Sequence, residues 1–188
     1  MAIETPSYTV LESSGKIELR DYDGSITASV TIEADNYNYA SSLAFRTLAD
    51  YIFGNNTSQS KIAMTVPVSS SQAPTSEKIA MTAPVSASLI DSQSYIVTFT
   101  MPASYTLQTL PRPKNKAVSI KHVKPHRAVV IRFSGLTTEK KIDKMTQQLQ
   151  DWAAQKNLKL IGAPTISRYD PPWKPGFIRR NEVSFQVR

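Results

Sequence analysis

Apolar and polar residues alternate over residues 17–22 and 26–32, and again over 117–123 and 128–133. A period of two predicts half-buried strands. Asp23-Gly24 joins the first pair, and Asp-Gly between strand-like runs predicts a hairpin. Lys124-Pro125 joins the second pair. After each pair the period lengthens. Over residues 36–53, Ala40, Leu43, Ala44, Leu48, Tyr51 and Ile52 recur at steps of three and four, which predicts an amphipathic helix. Asp35 or Asn36 suits its N-cap, and Gly54-Asn55 suits its end. Residues 138–156 carry a second such stripe in Ile142, Met145, Leu149, Trp152 and Ala153. Thr137 or Thr138 can cap it, with Glu139 favourable near the positive helix end. Further strands are predicted at 95–101, 165–169 and 182–187.

The order strand, strand, helix, further strands thus occurs twice. Leu43, Leu48 and Tyr51 find counterparts in Met145, Leu149 and Trp152, about one hundred residues later. The natural inference is an internal duplication within one α+β domain. Its first half covers about 8–101, a connector with Pro111 and Pro113 covers about 102–116, and its second half covers about 117–188. A shorter repeat lies inside the first half. Residues 60–69 return as 77–86, both carrying Lys-Ile-Ala-Met-Thr and then a proline. Their alternation predicts strands that stop, bulge or lie on an edge at Pro67 and Pro84. The polar run 69–76 reads as a loop.

Composition narrows the chemistry. With no cysteine, disulfides, thiolate catalysis, cysteine metal sites and thioether-linked haem are excluded. A net charge of +7 fits a solvated basic surface, or attraction for an anionic ligand, a membrane face or nucleic acid. No nucleic-acid-binding signature accompanies the charge, so no nucleic-acid partner is expected. No apolar run reaches membrane-spanning length, so no transmembrane segment is expected. The N-terminal residues lack the basic and apolar regions of a secretory signal, which makes a cytoplasmic location the expectation.

The two histidines, His122 and His126, flank the Lys124-Pro125 turn. Strand parity puts His122 with Val118 and Ile120, on the inward side. A histidine beside a turn is ordinarily structural or solvated; iron ligation and acid–base work are the minority readings. Met64 and Met81 hold equivalent places in the short repeat, and Met145 sits in a helical stripe. Packing is their default role, and a soft wall for a flat ligand is the alternative. Residues 169–175, Tyr-Asp-Pro-Pro-Trp-Lys-Pro, form a stiff turn with Tyr169, Trp173 and Phe177 as aromatic surface. It reads either as a lid in which Arg179 or Arg180 pairs with Glu182, or as one wall of a pocket for an aromatic anion. No carboxylate pair, Ser-His-Asp set or phosphate loop is recognisable, and no catalytic residue is assigned.

The two Lys-Ile-Ala-Met-Thr copies, Arg168-Tyr169-Asp170-Pro171-Pro172-Trp173, Arg179-Arg180-Asn181-Glu182-Val183 and Ile17-Glu18-Leu19-Arg20-Asp21-Tyr22 together resemble the SOUL haem-binding protein family. The resemblance spans nearly the whole chain. It implies a distorted β-barrel or curved antiparallel sheet with two long helices in pseudo-twofold arrangement. It also implies noncovalent binding of haem or a related tetrapyrrole, for transport, buffering or sensing. The site it implies lies beside the first helix and the proline-rich turn, at Phe45, Ala49, Ile52 and Lys174. A basic helix residue of some members aligns with Ser42, and the region of a histidine ligand in others has no histidine here. The resemblance therefore transfers no axial ligand, and the metal-binding residue stays unknown. Phe45 and Ala49 lie off the Leu43/Leu48/Tyr51 stripe, which predicts a second apolar helix face. That face suits a small-molecule tetrapyrrole or, alternatively, a protein partner in an interaction module. An enzyme acting on a tetrapyrrole or another aromatic ligand ranks last, for want of an acid–base set.

Overall fold

The computed structural model describes residues 4–58, 76–91, 93–170 and 173–188. The first copy of the short repeat and most of the predicted polar loop lie outside the described residues. Eleven strands and two long helices are present among those described: β1 Tyr8–Ser14, β2 Ile17–Tyr22, β3 Ser25–Glu33, α1 Tyr37–Ile52, β4 Asn56–Thr57, β5 Val85–Leu89, β6 Ser94–Thr100, β7 Arg112–Pro113, β8 Ser119–Val123, β9 His126–Ser134, α2 Glu139–Gln155, β10 Leu160–Arg168 and β11 Arg180–Val187. Nine of the strands form one curled antiparallel half-barrel sheet in the order β1-β2-β9-β11-β10-β5-β6-β3-β8. β4 and β7 pair separately.

Both helices fall where their periodicity predicts. The Asn36 side chain caps α1 by accepting the Tyr39 N–H at 3.0 Å, satisfying one orphan donor. Thr138 occupies the N-cap of α2 without a side-chain bond. α1 packs on β3, β6 and β5, and α2 on β11, β9 and β10. Between helices and sheet lies one core, with Val30, Val97 and Phe99 toward α1 and Ile131, Phe133 and Phe185 toward α2.

Asp23-Gly24 does not make a hairpin. β2 pairs with β9, and β3 pairs with β8, so each chain-consecutive pair is a corner and the two corners exchange partners. Alternation specifies a strand's faces but not its neighbour. The corners meet closely: a Cβ built on Gly24 would lie 3.2 Å from the Val123 carbonyl oxygen. That spacing favours a glycine there. The pairing scheme has a twofold character. β3 pairs with β6 as β9 pairs with β11, β5 pairs with β6 as β10 pairs with β11, and β5 meets β10 at the centre.

The second copy of the short repeat departs from its predicted strand. Residues 78–84 join no ladder, and β5 starts only at Val85, just after Pro84. Instead the segment crosses the end of α1, where the Ile79 N–H donates to the Ile52 carbonyl at 2.8 Å. Asn56 fastens it: its side-chain amide donates to the Tyr51 and Glu77 carbonyls and accepts the Glu77 N–H at 2.9 Å. β10 begins earlier than predicted, and its register breaks between Ile161 and Thr165, around Gly162 and Pro164. β1 has no sequence forecast, because a bulge between Val10 and Glu12 interrupts its alternation.

Candidate functional site

Asn38, Ser42, Phe45, Ala49 and Ile52 succeed one another on α1 at steps of four, three, four and three, which returns them to one face. At the far end Ile52 is 1% exposed under the crossing 77–83 segment, and Ala49 is also buried. Phe45 is 38% exposed and leans on Phe99 of β6, ring centres 5.6 Å apart. The predicted second apolar face is therefore a buried edge of the helix with one open ring. Of the four predicted residues, Phe45 and Lys174 are open to solvent, while Ala49 and Ile52 are buried.

The near end of this face leads to the proline-rich turn. The Asn38 amide donates to the Thr137 carbonyl at 3.2 Å, and its Oδ1 accepts from the Thr137 hydroxyl and the Arg168 guanidinium. Beside Thr137, Leu136 reaches the turn: a Cβ built on Gly176 would lie 2.9 Å from its Cδ2. Gly176 opens a short 3₁₀ turn, Gly176–Ile178. Here Trp173 is 84% exposed and Phe177 78%, with Leu136 and Ile178 also open to solvent. Asp170 holds the turn, accepting from Lys174 Nζ at 2.6 Å and from the Arg180 N–H at 2.5 Å. Burial raises the Asp170 pKa, but these donors outweigh it and leave the group below the ordinary carboxylate range. Lys174 is thus cationic with its charge shared, and an incoming anion would compete with Asp170.

Behind the turn lies a buried ionic network. Arg20 on β2 is 1% exposed and Glu182 on β11 2% exposed. Arg20 donates from both terminal nitrogens to Glu182, at 2.9 and 3.1 Å. Glu182 also accepts from Arg180 at 2.7 Å and from the Tyr169 hydroxyl at 2.7 Å. The Arg180 guanidinium lies 4.0 Å over the Tyr169 ring, and that of Arg20 4.2 Å over Tyr8. Burial pushes the Glu182 pKa up, yet its bonds to Arg20, Arg180 and Tyr169 prevail and hold it below the usual range. Burial, opposed by Arg20, pushes the Tyr22 phenol up to about 12. Every charge in the cluster is answered within it, so its work is to hold β2, β11 and the turn in register. The predicted Arg180–Glu182 pair is present, while the part of Arg20 has only a faint signal in the sequence. Glu18, Arg20 and Tyr22 share one parity of β2, opposite to Ile17 and Leu19.

The histidines stand elsewhere. His122 is exposed beside Gly24, contrary to the inward parity reading, because β8 is the last strand of the sheet. His126 stacks on Tyr22, ring centres 5.4 Å apart. A cleft of about 420 Å³ at this corner is lined by Glu4, Asp23, His122 and Met101 among others. A second groove, about 710 Å³, runs between α2 and β2/β9 over Ile131, Phe133 and Trp152, with Lys16, Lys141 and Lys144 at its edge. Among the described residues no three histidine, aspartate or glutamate side chains gather as a metal site. The surface by α1 presents the Phe45 ring. Neither histidine borders it, so it supplies no imidazole for iron.

The chain matches the family model described as SOUL heme-binding protein over residues 3–186. No curated protein matches it significantly in sequence. Among solved structures, the C-terminal domain of EcmrR superposes with a TM-score of 0.66 at 12% identity, over 96% of this chain and 98% of that one. A hydrolase from Listeria innocua superposes with a TM-score of 0.59 at 13% identity, over 95% and 94% of the two chains. Likeness at such identities establishes a shared fold and leaves activity to the site.

Proposed function

The chain belongs to the SOUL haem-binding protein family, and from that premise we propose that it binds haem or a related tetrapyrrole noncovalently where α1 approaches the turn of residues 173–179. One observation carries the reading. The open ring of Phe45 stands on a helix face whose head, Asn38, is tied through Thr137 and Leu136 to the turn bearing Trp173, Phe177 and Lys174. Broad apolar contact with a few orienting charges is what a porphyrin requires. Phe45, backed by Phe99, would meet the macrocycle. Lys174 would meet a propionate at the rim, exchanging Asp170 for the ligand, so it gives orientation more than affinity. With no cysteine, thioether attachment is excluded, and the contact proposed is noncovalent.

Titration with hemin and with metal-free protoporphyrin, followed at the Soret band, tests this. Phe45→Asp should weaken both by at least tenfold, about 1.4 kcal/mol, since a carboxylate would be desolvated against the ring system. Lys174→Glu should weaken them less, and less again at high salt. His122→Ala and His126→Ala should each leave hemin affinity within about threefold. Unchanged affinity in folded Phe45→Asp would move the site elsewhere and favour the protein-interaction reading.

A further inference from the structure

The tip of the proline-rich turn, one border of the proposed tetrapyrrole surface, carries more exposed apolar side chains than any other described turn. Trp173 and Phe177 are almost wholly in water, and Leu136 and Ile178 lie open beside them. Single exposed apolar residues are ordinary; four large ones gathered on one projection are not. Leu136 joins the turn through its contact with Gly176, so the four make one patch rather than separate points. Trp173 and Phe177, the two most exposed large apolar side chains among the described residues, stand furthest into solvent. Its backbone is held by Asp170 from below and by the Arg179 Nε bond to the Lys174 carbonyl at 2.7 Å. Beside it stand the cations Lys174 and Arg179, against the acid Asp170. The chain as a whole is also positive, at +7.

We propose that this tip docks on an anionic lipid bilayer, with Trp173, Phe177, Leu136 and Ile178 entering the headgroup region and Lys174 and Arg179 facing lipid phosphates and carboxylates. Tryptophan favours that boundary because its ring is apolar and its N–H polar. Basic side chains beside it gain from the negative surface potential, within a Debye length. A lipid interface can take in separately exposed apolar side chains with cations beside them. Among the described residues no helix is long and apolar enough to cross a bilayer, and the contact proposed is with the surface. The inference goes beyond tetrapyrrole binding and does not depend on it.

The test uses the full chain without tetrapyrrole, mixed with vesicles of phosphatidylcholine alone or with about one third phosphatidylserine, which supplies a negative surface potential. The chain has two tryptophans, and Trp152 is buried, so Trp173 dominates any change of environment. In the Trp152→Phe background, anionic vesicles should shift Trp173 emission to the blue, and brominated lipid should quench it. Co-sedimentation should fall at least tenfold in Trp173→Ser/Phe177→Ser and in Lys174→Glu/Arg179→Glu. The charge-matched Lys16→Glu/Lys144→Glu, on the far groove, should change it less than threefold. Absence of vesicle association by the wild type would overturn the proposal and leave the tip to a protein partner. Full association by folded Trp173→Ser/Phe177→Ser would also overturn it. Hemin titration of the same variants in vesicle-free buffer reads tetrapyrrole binding separately, so failure of one reading is distinguishable from failure of the other.

Discussion

On the α1 side of the sheet, the Tyr51 hydroxyl donates to the Pro111 carbonyl at 2.7 Å, and Leu110 and Pro111 are buried there. On the α2 side, Trp152 stands at the corresponding helical position over an open groove of about 710 Å³. The strand pairing beneath is the same. Thr27 faces Lys121 as Ala128 faces Arg20, and Val30 faces Val97 as Ile131 faces Val183. What differs is the filling. The connector between the halves closes the first groove with Leu110 and Pro111. Laid over one another in this register, the halves also set Lys121 against Arg20 and Ile96 against Glu182, so only one of two equivalent positions carries a buried ion pair. Where the strand pairings correspond, the side chains laid on them decide whether each groove is core, lock or surface.

The largest expected effect breaks the lock. Glu182→Leu would leave the buried Arg20 guanidinium without its bidentate partner, with a cost of about 3–5 kcal/mol in urea or thermal unfolding. The register-equivalent Ile96→Leu should cost under about 1.5 kcal/mol, as volume-conserving swaps do. If the two cost the same, the ion pair is not what distinguishes the halves.

Next comes the filling itself. Leu110→Ala should cost about 2–5 kcal/mol, as truncations of enclosed leucines do. Met145→Ala, half-buried at the edge of the open groove, should cost clearly less in the same chemical denaturation series. Equal losses would mean that the α2 groove is as closed in solution as its counterpart.

The helix starts offer a finer contrast. Asn36→Ala should cost about 1 kcal/mol, because the Tyr39 N–H loses its acceptor. Thr138→Ala should cost little, since Thr138 makes no side-chain cap bond. Urea midpoints of the pair measure the difference.

The smallest effect is in acid. The native Glu182 pKa is lowered, so its stabilisation is complete above the ordinary carboxylate value, about 4.3, and is lost as pH falls through the native value. Wild-type urea midpoints should therefore decline below about pH 4, and decline less in Glu182→Gln. Parallel declines would assign the acid sensitivity to other carboxylates.

These contrasts also mark what could be read from the chain. Both helices were legible to within a residue, since three- and four-residue steps and caps are local signals. β2, β3, β6, β9 and β11 were legible from alternation. The exchange of partners at the Asp23-Gly24 corner was not, because pairing is decided by contacts far apart in sequence. Nor was the fate of residues 78–84, whose alternation resembles a strand but whose Ile79 closes the end of α1. That crossing is why Ile52, read as ligand-facing, is in the core. Phe45 kept an open ring because no segment among the described residues covers it fully. The turn was recognisable as aromatic and stiff from Tyr169 to Phe177. The bridge that sets it beside α1 joins Asn38 to Thr137 and Arg168, 99 and 130 positions away, and only folding brings them together.

The most direct measurement is amide and methyl NMR of the folded protein with metal-free protoporphyrin. The macrocycle's ring current reports proximity without relying on affinity. Binding at the α1 surface predicts the largest shifts at Phe45, Leu136 and residues 173–178, with little change at Lys16, Lys144 and Trp152. The largest shifts around Trp152 and Lys144, or no shifts at saturating porphyrin, would contradict it.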